Sequence, residues 1–440
     1  KIKMLFSKKS IFKGLGIILT GTAVSQILRI SIAPLLTRLY EPSDFGVLAI
    51  FVSIVSILSI ASSGRYDLAI PTAKHEKEAK FIAVLCLGIN IIFMFFLFLC
   101  LLIFSDYLSN FLNLNELQNG VYLIPIALFF SAISEIYIKL RIKVKDYKKI
   151  AHVRVAQVVA MAGVQLIFSE HGVLALIYGQ ILGYLCGLLY LIWGYKLDFK
   201  SAKFQDIRNV AIVHNNYPKF SLWSGLISSA STNLVPVVLF ASYSSGVVGL
   251  YALTMRILSI PASMLGEAFR SIFLAEAPEY HRDNNLEYFV RKLHLLLVRV
   301  SFIPLILLIF YSEEMFSFVF GERWEQAGTY AMFMAPWLYL QFKWAPLSMI
   351  GNIIDKQKDV LVLQILSTGI RYLVLFFAIL SDASAVQAIM LFSAVSTLTY
   401  YFMIAWFFSY LKIKIRELII IDLKYLLLGS VFLYPIRFIN

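Results

Sequence analysis

The sequence contains few cysteines and few charged residues. There are three cysteines among 440 residues, and charged side chains make up only 15% of the chain. Cys86, Cys100 and Cys186 lie inside apolar runs and form no CxxC pair, which favours packing over a disulfide framework or a zinc site. No G-x-x-x-x-G-K-[ST] loop and no H-E-x-x-H motif is present. These absences argue against a P-loop ATPase and a zinc peptidase of that type, and we expect no cofactor.

Acidic residues are also scarce, with 26 Asp and Glu against 39 Lys and Arg, for a formal net charge of +13. The basic residues lie in the short connections between apolar runs, so the excess indicates membrane topology rather than a nucleic-acid partner. Hydrophobic residues make up 60% of the chain. That fraction predicts an all-α polytopic membrane protein. No connection is long enough for a soluble catalytic domain, which argues against an enzyme that carries one.

The apolar runs have the length that a helix needs to cross the hydrocarbon core, roughly 20 residues each. We predict about twelve transmembrane helices. Their expected ranges are 14–36, 45–63, 80–104, 121–139, 150–168, 172–194, 220–240, 247–265, 293–311, 329–350, 360–380 and 385–410. This order divides the chain into an N-terminal six-helix bundle (1–194), a cytoplasmic linker (195–219) and a C-terminal six-helix bundle (220–411).

Alternate connections differ sharply in basic residues. One set is rich in Lys and Arg, whereas the other contains only Arg38 and Arg323. By the positive-inside rule, the N-terminus and the segment after the twelfth helix are cytoplasmic. The apolar stretch 417–435 carries Asp422 and Lys424. We expect 412–440 to be cytoplasmic and interfacial, with a short thirteenth span as the alternative.

The first predicted span contains an arginine. Thr22, Ser25, Gln26 and Arg29 recur at steps of three and four residues, which places them on one helical face. A charge inside a spanning helix is costly unless it faces the protein interior or a water-filled cavity. Arg29 is therefore a candidate binding residue, with Gln26 supporting it.

Further cations occur in or at the ends of other spans. The candidate cavity cations, besides Arg29, are Arg65, Arg256, Arg299, Lys343 and Arg371. Gln364 shares a predicted face with Arg371, and Glu135 is a candidate coupling acid that could also pair with Lys343 or Lys139. Arginine offers a planar fork that suits phosphate, so a cavity lined by these groups would accept an anion.

A weak internal repeat relates the two halves. Ser43-Asp-Phe-Gly46-Val-Leu-Ala-Ile, after Pro34, is similar to Gly246-Val-Val-Gly249-Leu-Tyr-Ala-Leu, after Pro236, at an offset of about 203 residues. With six spans in each half, the halves would have the same orientation. Transporters built from such parallel repeats have their binding site between the halves.

One stretch carries a family resemblance. Pro34-Leu-Leu-Thr-Arg-Leu-Tyr, then Glu41-Pro-Ser-Asp-Phe-Gly, then Gly64-Arg-Tyr-Asp-Leu-Ala-Ile resembles the start of Wzx-type polysaccharide flippases. These belong to the multidrug/oligosaccharidyl-lipid/polysaccharide (MOP) exporter superfamily. The resemblance implies a MATE-like fold, with two six-helix bundles around a central cavity. It also implies Arg29, Arg65 and Arg256 as cavity cations, with Asp44 in the first outer turn.

The function implied by this resemblance is that of an inner-membrane flippase in bacteria. It would move an isoprenyl-pyrophosphate-linked repeat unit of O-antigen or capsule between leaflets, by alternating access. The partners would be the lipid-linked glycan, the bilayer, and a polysaccharide polymerase with its chain-length regulator. Proton or sodium coupling remains open.

Three alternatives remain. A multidrug or small-metabolite antiporter of the same superfamily would favour acidic cavity residues. A flippase for the peptidoglycan precursor differs only in substrate. A membrane glycan polymerase or ligase would need a large outer loop, which this sequence does not offer.

Overall fold

The computed structural model describes residues 2–111, 120–195, 197 and 203–433. Within these ranges the chain is helical and contains no β-strand. The helices are α1 (Ile2–Leu39), α2 (Pro42–Ser62), α3 (Glu76–Phe111), α4 (Ile124–Lys143), α5 (Tyr147–Ile167), α6 (Val173–Ile192), α7 (Phe204–Val213), α8 (Leu222–Ser242), α9 (Ser245–Arg282), α10 (Leu286–Phe320), α11 (Glu325–Leu347), α12 (Ile350–Ile353), α13 (Gln357–Leu380), α14 (Ala385–Tyr410) and α15 (Ile415–Leu433).

Each predicted span coincides with one long helix. Ten helical segments in the described part of the chain are long and apolar enough to cross a membrane. The two remaining predicted spans, 14–36 and 329–350, coincide with α1 and α11, of 38 and 23 residues. The prediction of an all-α polytopic membrane protein is confirmed.

The chain forms two compact units, residues 1–249 and 250–440. In the first unit, α5 packs against α1 and α6, α4 packs against α3 and α6, and α8 packs along α2. The second unit is built on α10, α11 and α14, with α13 against α14 and α15 against α10. The predicted division into two six-helix bundles joined by 195–219 remains a prediction.

Arg141 connects three segments at one end of the first unit. Its side chain is buried at the end of α4, donates to the carboxylate of Asp146 (3.0 Å) and to the backbone oxygens of Leu191 and Trp193, and lies over the Tyr195 ring. Burial and the nearby Glu76 carboxylate raise the pKa of Tyr195 to about 12, so its phenol stays neutral at pH 7. A buried guanidinium with this many partners fixes the ends of α4 and α6.

Two glycines allow the start of α2 to contact the start of α9 within the first unit. A Cβ at Gly46 would overlap the backbone oxygen of Ser245, and a Cβ at Gly249 would overlap that of Pro42. An offset of 203 residues maps 42 onto 245 and 46 onto 249, so the contact is reciprocal and follows the sequence repeat. Only glycine permits such close approach of two backbones.

Besides the four-residue helix α12, two described helices were not among the predicted spans. α7 lies in the predicted linker, where His214 at its C-terminus contacts Glu78 of α3 at 3.2 Å. α15 covers most of 417–435; it packs against α10 and α14 and buries Asp422. Residues 434–440, the end of the predicted interfacial segment, lie outside the described residues.

Candidate functional site

In the first unit, four helices bring charged and polar side chains together. Arg29 of α1 interacts electrostatically with Tyr184 of α6 and with Arg154 of α5. Tyr184 in turn is hydrogen-bonded to Gln180 and interacts with Glu135 of α4. Two guanidiniums therefore share one partly buried region with a phenol and an amide. This set of residues, Arg29, Arg154, Gln180 and Tyr184, is called the paired-arginine site below.

Small residues hold the helices that build this site in close contact. A Cβ at Gly21 of α1 would overlap Ala151 of α5, and one at Gly187 of α6 would overlap the side chain of Gln157. Arg154 lies between Ala151 and Gln157 on α5, so both contacts flank it. Close packing of small residues is the usual basis of helix association in membranes. The position of Arg154 is therefore fixed from both sides.

Neither arginine of this site is neutralised by an acid. Within the described ranges, no salt bridge joins Arg29 or Arg154 to a carboxylate. The Nε of Arg154 is buried without a hydrogen-bond partner there. Two like charges in a region shielded from water repel each other strongly, and an anion between them would relieve that repulsion.

Arg65 occupies a second position in the same unit. It follows α2 in a left-handed backbone conformation (φ 63°) and directs its guanidinium at Gly225 of α8. A Cβ at Gly225 would lie 2.7 Å from Nε and Nη2 of Arg65, so the glycine makes room for the cation. Ser224 and Ser228, beside this contact, are exposed. Arg65 thus lies next to the polar face that the sequence predicts for this helix.

The other predicted residues of the first unit have varied surroundings. Asp44 accepts a hydrogen bond from the backbone N–H of Glu41 (3.0 Å), which caps the N-terminus of α2. Glu135 is exposed on α4. Gln26 is half-buried one turn before Arg29 on α1. The capping bond gives Asp44 a structural role at the start of α2.

In the second unit, Lys343 has an acidic partner. Its Nζ lies 2.9 and 2.8 Å from the two carboxylate oxygens of Asp422, and its side chain is fully buried. The sequence suggested Glu135 as a partner of Lys343; the structure pairs Lys343 with Asp422 instead. An ammonium held by both oxygens of a carboxylate is not available to bind a further anion.

Arg371 is bound by its own helix and by an aromatic ring. Its Nε donates to the backbone oxygen of Ser367 (3.2 Å), and its Nη2 donates to the Thr368 hydroxyl (3.2 Å). Its guanidinium lies 5.4 Å from the centre of the Tyr400 ring. Trp337 stacks on the same tyrosine and is only 4% exposed. The indole face is therefore occupied by protein and is not open to a sugar ring.

The remaining predicted residues of this unit lie on three different helices. Arg256 is half-buried on α9. Arg299 is exposed on α10 and donates from Nε to the Tyr425 hydroxyl (2.9 Å). Gln364 is exposed on α13.

Sequence reasoning missed Arg154 and the role of Asp422. Arg154 lies close to the start of a predicted span, where basic residues usually flank the membrane, so nothing marked it. Asp422 was noticed as a charge inside an apolar stretch, but its partner lies 79 residues earlier in the chain.

Comparison with known families gives one match. A family model described as "Polysaccharide biosynthesis protein" matches residues 35–329. No curated protein matches the sequence.

Comparison with solved structures gives several matches at low identity. The lipid II flippase MurJ in an inward closed conformation has a TM-score of 0.69 at 12% identity, covering 94% of this chain and 91% of its own. An inward-facing multidrug resistance MATE family transporter of the MOP superfamily has a TM-score of 0.60 at 13% identity, covering 90% and 94%. A MOP superfamily transporter from Pyrococcus furiosus, described as having a binding pocket of reverse polarity, has 0.57 at 11%, covering 92% and 96%. These likenesses establish a MATE-like fold.

Proposed function

The chain belongs to the polysaccharide biosynthesis protein family, and we propose that it is a flippase for a lipid-linked oligosaccharide. Its cargo is an isoprenyl-pyrophosphate-linked repeat unit of O-antigen, capsule or a similar glycan. The protein carries this unit from the inner to the outer leaflet of a bacterial cytoplasmic membrane by alternating access. It acts as a transporter, without a resident cofactor.

The observation that carries this proposal is the paired-arginine site. Arg29 and Arg154 lie on different helices, interact with each other, and form no salt bridge with a carboxylate within the described residues. Pyrophosphate carries several negative charges on oxygens that accept bidentate hydrogen bonds from guanidinium groups. The hydroxyl of Tyr184 and the amide of Gln180 add neutral donors. This chemistry suits a phosphate anion and does not suit a cationic drug.

The three parts of the cargo have different requirements. The arginines hold the pyrophosphate, and the glycan remains in water. The isoprenyl chain remains in lipid because moving its apolar surface into water would cost free energy. Arg65 lies beside the exposed serines of α8 and is a second cation that can bind the pyrophosphate during transport.

The test uses a strain that lacks this protein and makes the glycan. We expect the lipid-linked repeat unit to accumulate on the inner leaflet, and the intact protein to restore surface glycan. Arg29→Ala and Arg154→Ala should each fail to restore it at unchanged membrane levels. Arg208→Ala, which removes an exposed cation on α7, is the matched control and should restore it.

Two results would contradict the proposal. Normal surface glycan in both arginine variants would exclude the paired-arginine site. An unchanged lipid pool together with altered drug tolerance would favour the antiporter. In a direct assay, purified full-length protein should bind inorganic pyrophosphate, and both variants should lose that binding.

A further inference from the structure

A groove of about 410 Å³ lies between α10, α14 and α15 in the second unit. Its volume is more than ten times the roughly 30 Å³ that one water molecule takes in the liquid, so it has room for part of a chain molecule. Most of its wall is apolar and is formed by Leu295, Phe408, Ile413 and Ile421, with the buried ring of His294. We call it the α10–α15 groove.

The two long helices of this groove begin at the same end. Arg291 of α10 pairs with Glu417 of α15. Two turns later, Arg299 donates to the hydroxyl of Tyr425. Eight residues separate the two contacts on each helix, so α10 and α15 run parallel. Each helix follows a short connection that carries charged residues, and such connections lie at the membrane surface.

The rim of the groove carries an excess of positive charge. Residues 286–295 and 411–417 contain five Lys and Arg side chains and two Glu side chains. Both acids, Glu287 and Glu417, bind the same guanidinium, that of Arg291. The other four cations are exposed and form no salt bridge within the described ranges: Lys292, Lys412, Lys414 and Arg416.

Polar and apolar parts of the groove lie at different depths. Tyr288 and Lys292 line it within the first two turns of α10, and both are exposed. Leu295 and Ile421 line it about one turn deeper. The N-termini of two parallel helices add positive partial charge at the shallow end. This arrangement matches an amphiphile with an anionic head and an apolar chain.

We propose that the α10–α15 groove binds one anionic phospholipid. Its phosphate is held by Lys292 of α10 and by Lys412 and Lys414, the lysines on either side of Ile413. One acyl chain lies along the apolar wall below them. Basic pockets between membrane helices bind anionic headgroups in this way. The lipid thereby joins α15 to α10, and binding changes no covalent bond.

Two other occupants fit the groove less well. A soluble phosphate would leave the apolar wall without a partner. A zwitterionic lipid would bring its own ammonium group close to the lysines of the rim, and like charges repel. The proposal concerns a resident membrane lipid and does not depend on which cargo the protein carries.

The first test measures lipid binding to the full-length protein in detergent by native mass spectrometry. Dioleoyl phosphatidylglycerol should bind about tenfold more tightly than dioleoyl phosphatidylcholine, and it should raise the melting temperature more. Lys292→Gln and Lys414→Gln should each weaken phosphatidylglycerol binding about fivefold, and together about 30-fold. The matched control is Lys145→Gln with Lys148→Gln, which removes two exposed cations from the first unit and should bind as the wild type does.

The second test fills the groove without changing its charge. Leu295→Trp places a larger side chain in the apolar wall and should weaken phosphatidylglycerol binding. Leu296→Trp makes the same change at the next residue, which is exposed outside the groove, and should leave binding unchanged.

Three results would overturn the proposal. The first is equal affinity of the wild-type protein for the two lipids, a comparison that needs no variant. The second is unchanged binding in the variant that lacks both Lys292 and Lys414. The third is displacement of the lipid by millimolar glycerol 3-phosphate, which would assign the rim to a soluble phosphate. Failure of pyrophosphate binding would overturn the proposed cargo alone.

Discussion

The Lys343–Asp422 pair makes a quantitative prediction about stability. Lys343 is fully buried and Asp422 is 6% exposed, so removing either side chain leaves a buried charge without its partner. Such a loss costs about 3–5 kcal/mol, whereas replacing both partners by apolar residues of similar volume is often neutral. Lys343→Met and Asp422→Leu should therefore each destabilise the protein, and the double variant should be close to the wild type.

The size of the effect can be expressed as a melting temperature. The second unit spans residues 250–440, and for domains of that size each kcal/mol shifts the melting temperature by about 2–4 °C. Each single variant should then melt about 6–20 °C below the wild type, and the double variant within about 3 °C of it. The assay is fluorescence-detected size exclusion of the full chain in detergent after heating.

The control is a half-exposed ion pair between α10 and the same helix α15. Arg291→Met and Glu417→Leu remove an ion pair that water can reach, and each should cost about 1 kcal/mol or less. If the double variant of Lys343 and Asp422 were as unstable as the sum of its single variants, loss of the charge partner would not explain the instability of the single variants.

Three further outcomes are expected. Gly46→Val should reduce the amount of folded protein and lower the melting temperature by several degrees, because its side chain would overlap the Ser245 oxygen, whereas Gly163→Val, with nothing within 4 Å, should not. Arg141→Ala should cost about 3–5 kcal/mol in the same heating assay, since it leaves buried acceptors without a donor. Lys148→Ala, an exposed cation on α5, should cost less than about 0.5 kcal/mol.

The positions of the helices were predictable because the bilayer imposes one length on every span. Apolar runs of about 20 residues and alternating basic connections are local features of the chain. They located twelve of the long helices, apart from extensions such as that of α9, which continues to Arg282. The extension of α9 carries several charged residues, and hydropathy does not report it.

The partners of the charged residues were not predictable in the same way. Lys343 and Arg29 look alike in the sequence, since each is a cation in an apolar run. The structure gives Lys343 a carboxylate from α15 and gives Arg29 a second arginine from α5. Both outcomes depend on contacts between distant parts of the chain, and no periodicity within one helix encodes them.

This difference in partners explains why one protein can carry both kinds of buried cation. A lysine held by an aspartate forms a pair with no net charge, which does not attract phosphate. Two arginines that form no salt bridge with an acid among the described residues present a net positive charge and attract an anion. The double variant of Lys343 and Asp422 tests this difference, because it should keep its fold and its pyrophosphate binding.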